Sequence, residues 1–207
     1  MSEMIMSQSE DGRTELLRKI RDEVWNFKES PLYHERVRNH AYPVIGEGSH
    51  HAKIMFIGEA PGRTEAATGR PFSGAAGRLL DELLNSIRIP RADVYITNVV
   101  KDRPPQNRDP LPEEIALYAP FLNRQIEIIQ PKIIVLLGRH STAAILEKFG
   151  LDAMIGPISR LHGTMLDAEA SYGGITIIPM YHPAAALYNP ELKQELLVDF
   201  QSLKKLV

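Results

Sequence analysis

The amino-acid sequence predicts a three-layer α/β/α fold around a central, mostly parallel sheet of four strands. Short apolar runs alternate along the chain with amphipathic segments of helical period, an arrangement typical of α/β proteins. Three of these runs are almost continuously apolar, as expected of strands that helices cover on both faces. A hydrophobic content of 43% and a charged content of 24% agree with a globular chain.

The predicted elements follow one another in a regular order. A first helix is predicted over residues 14–28, with Thr14 as its cap, because apolar residues recur there at helical spacing. Residues 31–52 lack this periodicity, so we expect an irregular connection. The later predicted elements are strand 53–58, helix 75–87, strand 93–100, helix 112–129, strand 132–138, helix 139–149, a hairpin region around 156–178, strand 174–180 and helix 190–206.

The start of the chain is polar and acidic and has the character of neither a signal peptide nor a transit peptide. We expect a flexible N-terminal tail over residues 1–12 and one folded domain over residues 13–207, since no internal repeat divides the chain. No apolar run approaches the roughly 18–20 residues that span a bilayer. These features predict a cytoplasmic protein without a membrane partner, and we expect a monomer.

Two features of the composition limit the chemistry. The sequence contains no cysteine, which excludes disulfides, thiolate metal sites and cysteine-ligated iron–sulfur clusters. The histidines, including His50 and His51, lack a convincing set of metal-ligating partners, so we predict no metal site. The net charge of −2 is not that of a typical nucleic-acid binder, but basic residues outnumber acidic ones by eight to five between residues 60 and 108. Charge therefore permits DNA binding there without showing it.

The loop after the first predicted strand carries the most chemical groups. Ligands of open parallel sheets bind beyond the carboxyl ends of the strands. Residues 58–77 include five glycines, which permit close backbone approach to a ligand, and Glu59 stands directly at the strand end. Phe72 is expected as either a lid over a small core or a stacking platform for a planar ligand. A phosphate-binding loop is the alternative, although neither glycine-rich nucleotide-binding motif is present.

Two further polar residues fall at predicted strand ends. Asn98 lies near the end of the second strand, where a buried amide would offer one donor and one acceptor side by side. Such a pair matches a base edge that presents a carbonyl beside an N–H group. His182 follows the fourth strand and faces the first loop across the same end of the sheet. A purely structural role is the alternative for each of these residues.

These motifs together resemble the uracil-DNA glycosylases of family 4. The resemblance rests on five segments in their usual order and covers roughly residues 30 to 205, nearly the whole predicted domain. Any one segment is weak evidence, whereas the ordered set is specific. The segments are GEAPG…GRPFSGAAGRLL, TNVVKDRPPQNRDP, PFLNRQI, LGR and HPAAAL.

The resemblance implies roles for residues around a flipped-out base. Glu59 would orient or activate water or stabilise positive charge on the sugar, and His182 would lie near uracil O2. Asn98 would read the base and Phe72 would stack on it. Glu65 would lie near uracil C5, where it would hinder the methyl group of thymine.

Other residues are predicted to contact the base or the DNA through less specific groups. The resemblance places Gly58, Ala60 and Pro61 against the base and Leu187 in a loop that probes the minor groove. Three basic residues are candidates for phosphate contacts, with an ordinary solvated position as the alternative for each: Lys101, Arg103 and Arg108.

One departure from the family pattern concerns a cofactor. Members of family 4 typically hold a four-iron, four-sulfur cluster with four cysteines. The matching positions here are Phe27, Ser30, Asp102 and Tyr118. We therefore expect no cluster and no other cofactor. We expect Phe27 and Tyr118 to pack together instead, and Asp102 to pair with a nearby arginine.

The resemblance implies a monofunctional uracil-DNA glycosylase of DNA repair. Its expected partner is uracil-containing DNA, single- or double-stranded, and its products are free uracil and an abasic site. The alternatives are a glycosylase for another deaminated base, such as hypoxanthine or xanthine, and a relative that binds uracil-DNA without turnover. A generic phosphate-binding α/β domain is a more distant alternative.

Overall fold

The computed structural model describes residues 12–206, and a six-stranded sheet lies at its centre. The strand order is β1-β3-β2-β4-β6-β5, in which the four inner strands run parallel and the two edge strands run antiparallel. The strands are β1 (Glu47–Gly48), β2 (Ile54–Gly58), β3 (Tyr95–Asn98), β4 (Ile133–Leu137), β5 (Leu166–Ala170) and β6 (Gly173–Met180).

Helices cover both faces of this sheet. Within residues 12–206 the α-helices are α1 (Gly12–Trp25), α2 (Pro31–Arg38), α3 (Arg63–Thr68), α4 (Ala75–Ser86), α5 (Pro112–Ile129), α6 (Arg139–Lys148), α7 (Ile158–Leu161), α8 (Pro183–Ala186) and α9 (Pro190–Leu203). None of them is both long and apolar enough to cross a membrane.

The two faces of the sheet belong to separate apolar clusters. Met55 and Ile57 of β2 point into a cluster with α1, α5 and α6. Ile54 and Phe56, the alternate residues, point into a cluster with α4 and α9. The three-layer architecture with a mostly parallel sheet is therefore confirmed, and the predicted parallel strands are β2, β3, β4 and β6.

The structure adds two edge strands to the predicted four. β1 has only two residues, too few to show a period, and lies in the segment expected to be irregular. β5 pairs with β6 in the predicted hairpin region, and its residues are only half-buried because it closes the sheet edge.

The segment 31–52 is also more regular than predicted, because it contains α2. Ser30 caps this helix by accepting a hydrogen bond from the Leu32 N–H at 3.2 Å, and Pro31 occupies its first position. The prediction for the first helix was wrong at both ends, since α1 is already formed at Gly12 and ends before Phe27. Thr14 is consequently not its cap. Apart from Gly12, the predicted tail over 1–12 lies outside the described residues.

A buried polar network lies between α2 and α5. The Arg36 guanidinium donates to Asp102 Oδ1 at 3.1 Å, and the Tyr118 hydroxyl donates to Asp102 Oδ2 at 2.6 Å. The Phe27 and Tyr118 rings meet edge to face, with centroids 5.6 Å apart. The expected arginine partner and the expected aromatic packing are both confirmed. Burial raises the pKa of Asp102, and its contacts with Tyr118 and Arg36 oppose that rise.

We predict that Asp102→Ala will lower the free energy of unfolding by about 3–5 kcal/mol, because the buried Arg36 charge loses its partner. The matched control is Asp22→Ala, which removes the exposed Asp22–Arg21 ion pair that water screens. Chemical denaturation of both variants measures the difference. A loss for Asp102→Ala no larger than that for Asp22→Ala would contradict the assignment.

Candidate active site

A crevice of about 330 Å³ opens at the carboxyl ends of the parallel strands. Its walls come from the loop after β2, the loop after β3 and the segment after β6, as expected of a parallel sheet. Eight of the sequence-predicted site residues line it: Glu59, Ala60, Pro61, Glu65, Phe72, Asn98, Arg108 and His182.

The floor of the crevice depends on close packing at Gly58. Gly58 and Asn98 are paired in register between the neighbouring strands β2 and β3. A Cβ atom on Gly58 would lie 2.5 Å from Asn98 Oδ1 and 2.8 Å from the Phe72 ring. Only glycine leaves the space that the amide and the ring occupy. The buried Asn98 amide is thereby held beside an aromatic ring at one side of the crevice.

The Phe72 ring is held by its own loop. Phe72 is buried and its backbone adopts a left-handed conformation, with φ of 47°, which is strained for an aromatic residue. One Glu65 oxygen accepts the N–H groups of Ser73 at 3.0 Å and Gly74 at 2.8 Å, which ties the end of the loop, where α4 begins, to α3. Gly77 allows α4 to approach, because a Cβ there would lie 1.7 Å from the Phe72 carbonyl oxygen. Glu65 therefore shapes the crevice as well as lining it.

His182 presents a neutral imidazole to the crevice. Its Nδ1 accepts the Ala184 N–H at 3.1 Å, capping α8, so the neutral ring carries its proton on Nε2. Burial lowers the pKa of His182 to about 4, and the negative charge of Glu65 only partly opposes this. The ring stacks on Phe72 with centroids 5.5 Å apart. The site thus contains a fixed N–H donor that bears no charge at neutral pH.

Glu59 stands at the mouth of the crevice with 28% of its side chain exposed. Burial raises the pKa of Glu59; His140 and Arg139 oppose this rise, and Asp109 adds to it. The Glu59 Oε2 atom lies 3.9 Å from His140 Nε2. Ligand atoms of Glu59, Asp109 and His140 lie within 4.8 Å of one another, close enough to hold a metal ion. Asp109 also contacts the Arg139 guanidinium and lies 3.3 Å from His140 Nε2.

Lys101 does not reach the surface, so its prediction as a phosphate contact was wrong. The side chain is fully buried. Its ammonium group donates to Thr97 Oγ1 at 2.8 Å, to the Asn98 carbonyl at 2.7 Å and to Gln125 Oε1 at 2.6 Å. Burial without a carboxylate partner lowers the pKa of Lys101 well below its ordinary value. Lys101 instead ties the end of β3, and with it Asn98, to α5.

The other predicted DNA contacts lie around the crevice in different settings. Arg108 lines the crevice but is paired with the buried Glu114 through bonds of 2.8 and 2.6 Å. Arg103 lines a neighbouring cavity instead. Leu187 lies against the α4–α9 cluster and is only partly exposed. The adjacent Tyr188, which the sequence reasoning missed, is 94% exposed and is the more prominent side chain on this loop.

Two residues near Glu59 were also missed. His140 follows β4 in the segment GRHS, and Asp109 belongs to the loop after β3. Both loops leave the same sheet edge as Glu59, so strand-end position was the signal that could have identified them. Their residue types alone carry no such signal.

Comparisons with known proteins agree on one family. A family model described as the uracil DNA glycosylase superfamily matches residues 45–202. The type-4 uracil-DNA glycosylase of Sulfurisphaera tokodaii is 48% identical over 191 residues, covering 92% of this chain and 84% of the relative. The type-4 enzyme of Thermotoga maritima is 42% identical over 197 residues, covering 94% and 96%. The type-5 uracil-DNA glycosylase of Thermus thermophilus is 33% identical over 157 residues, covering 69% of each chain.

We predict that His182 titrates with a pKa near 4, which proton NMR of its ring measures directly. Because this folded-state pKa lies below the ordinary value of 6.5, protons bind preferentially to the unfolded chain. The free energy of unfolding should therefore fall as the pH drops from about 6.5 towards 4, by at most about 3 kcal/mol.

His182→Asn, which keeps a helix-capping side chain, should flatten this slope. The prediction fails if the His182 ring titrates near pH 6.5 and the stabilities of the wild type and His182→Asn change in parallel with pH. That result would show that the imidazole is not desolvated.

Proposed function

This chain belongs to the uracil DNA glycosylase superfamily, and we propose that it hydrolyses the bond between uracil and deoxyribose in DNA. The products are free uracil and an abasic site. The observation that carries the proposal is the meeting of an amide, an aromatic ring, a neutral imidazole and a carboxylate in one crevice: Asn98, Phe72, His182 and Glu59.

The Asn98 amide supplies the base recognition. Its nitrogen donates to uracil O4 and its oxygen accepts from uracil N3–H. Cytosine presents the opposite pattern at these positions, so an amide held in one orientation rejects it. The hydrogen bond from the Lys101 ammonium group to the backbone carbonyl of Asn98 keeps this residue in place.

The Phe72 ring supplies the stacking surface for the extruded base. A base leaves the DNA stack at a cost of a few kcal/mol. Stacking on an aromatic ring returns about 1–3 kcal/mol of this. The strained, doubly anchored Phe72 loop supports a ring that is already in position before the base arrives.

His182 supports departure of the base. When the C1′–N1 bond breaks, its electron pair leaves with uracil and the negative charge spreads onto O2. An uncharged Nε2–H donor stabilises that oxygen without first binding a proton, and one preorganised donor of this kind contributes roughly 2.7–4 kcal/mol. The hydrogen bond from the Ala184 N–H to Nδ1 supports this tautomer.

Glu59 acts on the sugar side of the reaction. The carboxylate stabilises the positive charge that develops on the sugar and orients the water whose oxygen bonds to C1′. That water gives up one proton to the solvent, and the uracil anion takes up one proton from the solvent to become free uracil. Burial raises the pKa of Glu59. The nearby His140 and Arg139 oppose that rise and so favour the charged form of Glu59. The partly exposed position of Glu59 gives water access to the reacting carbon.

We predict that the protein releases free uracil from a uracil-containing oligonucleotide and leaves an alkali-labile site. Under single-turnover conditions, His182→Ala and Asn98→Ala should each slow release by about 10²–10³-fold, because each removes one preorganised hydrogen-bonding group. Asn85→Ala, at an exposed position on α4, is the matched control and should release uracil at the wild-type rate.

The same assay distinguishes the competing functions. Release of hypoxanthine or xanthine but not of uracil would identify a glycosylase for another deaminated base. Tight binding of uracil-DNA without release of any base would identify a binding protein. Either result would overturn the proposed function. Release of uracil at the wild-type rate by both His182→Ala and Asn98→Ala would overturn the roles given to these two residues.

A further inference from the structure

Two further depressions lie in series on the surface beside the crevice. The crevice shares Pro104 with a second cavity of about 250 Å³, which Arg63 and Arg103 line. The second cavity shares Tyr42 with a third depression of about 430 Å³, which Trp25 lines. The crevice and the two depressions are therefore neighbours, and we call the surface formed by Arg63, Arg103, Tyr42 and Trp25 the track.

The second cavity carries positive charge from Arg63 and Arg103. Neither Arg63 nor Arg103 has a carboxylate partner within residues 12–206; the Arg103 Nε donates only to the neutral Asn107 side chain, at 2.6 Å. The acid that lines this cavity, Glu35, is already bonded to Arg38 at 3.1 Å. Unpaired guanidinium groups in a concave surface favour a polyanion such as a phosphate backbone.

The third depression carries exposed aromatic surface. Tyr42 is 48% exposed and Trp25 is 49% exposed, and their ring centroids lie 6.0 Å apart. The Tyr42 backbone is fixed by its N–H bond to the Ala66 carbonyl at 2.7 Å. The Arg36 guanidinium, which is paired with Asp102, lies 5.9 Å from the Trp25 ring centroid. Exposed rings on a fixed backbone provide a surface on which unpaired bases stack.

We propose that this track, formed by Arg63, Arg103, Tyr42 and Trp25, binds single-stranded DNA flanking the target nucleotide. The arginines contact the phosphates next to the extruded uracil, and a neighbouring base stacks on the aromatic pair. Rings of this kind can reach a base face only where the base has no partner strand, so the track favours single-stranded substrate. This proposal rests on the proposed function in one respect, namely that the target base occupies the crevice.

Chain connectivity links the track to the catalytic groups. Arg63 begins α3, four residues after Glu59, and Arg103 directly precedes Pro104. Asp102, next to Arg103, is held by the buried Arg36 and Tyr118 side chains. The phosphate-binding groups are therefore carried by the same anchored loops as the crevice.

The test uses a uracil-free single strand, so that it does not depend on catalysis. Trp25 is the only tryptophan in the chain, and its fluorescence reports binding at the track directly. We expect the strand to quench this fluorescence and to bind more tightly than the matched duplex. Tyr42→Ala should weaken strand binding by about 5- to 150-fold, and Tyr42→Phe should restore it, because the phenyl ring still stacks.

Arginine variants test the phosphate contacts. Arg63→Ala and Arg103→Ala should each reduce the slope of log Kd against log salt concentration by about 0.7, the value for one phosphate of a single strand. Arg160→Ala, at an exposed α7 position outside the track, is the matched control and should leave the slope unchanged. Thermal melting of each variant confirms that it is folded.

Binding indistinguishable from the Arg160→Ala control in all three track variants would overturn the inference. Tighter binding of duplex than of single strand, insensitive to Tyr42→Ala, would overturn it as well. Release of uracil at the wild-type rate in those cases would leave the proposed function standing. Normal strand binding without release of any base would instead overturn the proposed function and support the track.

Discussion

The pairing of Gly58 with Asn98 across two parallel strands is the constraint on which the rest of the site depends. Parallel strands end at one edge of the sheet, so the register decides which side chains meet there. At this position the missing Cβ of Gly58 leaves room for the Asn98 amide and the Phe72 ring. The Phe72 ring in turn stacks on His182, which follows β6 at the same end of the sheet. The close approach of the Gly58 backbone to the Asn98 amide and the Phe72 ring therefore helps to position three of the groups that the proposed reaction uses.

Two adjacent buried charges hold the loop that closes this edge. Lys101 is bonded to the end of β3 and to α5, whereas Asp102 is bonded to Arg36 of α2 and Tyr118 of α5. Burying charged groups is expensive unless hydrogen bonds compensate, and each of these groups has at least two such bonds. A polar network and aromatic packing stand at the positions where the family resemblance implies a metal cluster. These contacts anchor the loop that follows, which lines both the crevice and the neighbouring cavity.

The sequence predicted which residues line the crevice better than it predicted which charged residues are buried and what they pair with. Asn98 and His182 were located because apolar runs mark strands, and the ends of parallel strands converge. Lys101 was misassigned because its burial depends on acceptors from two separate segments, β3 and α5, which no local pattern reveals. The partner of Asp102 could be predicted by type but not identified, since Arg36 is 66 residues away. The helix α2 was missed although the Ser30 cap and the proline after it were visible in the sequence.

The single-turnover rate of uracil release by Gly58→Ala measures whether close packing at Gly58 holds the base-reading groups in their reactive positions. The control is Gly156→Ala, where an added Cβ has no neighbour within 4 Å. We expect a loss on the order of 100-fold for Gly58→Ala in a protein that still melts cooperatively, because displacing such groups by about an ångström has that effect. We expect no loss for the control. Release of uracil at the wild-type rate by Gly58→Ala would show that packing at Gly58 does not hold these groups in place.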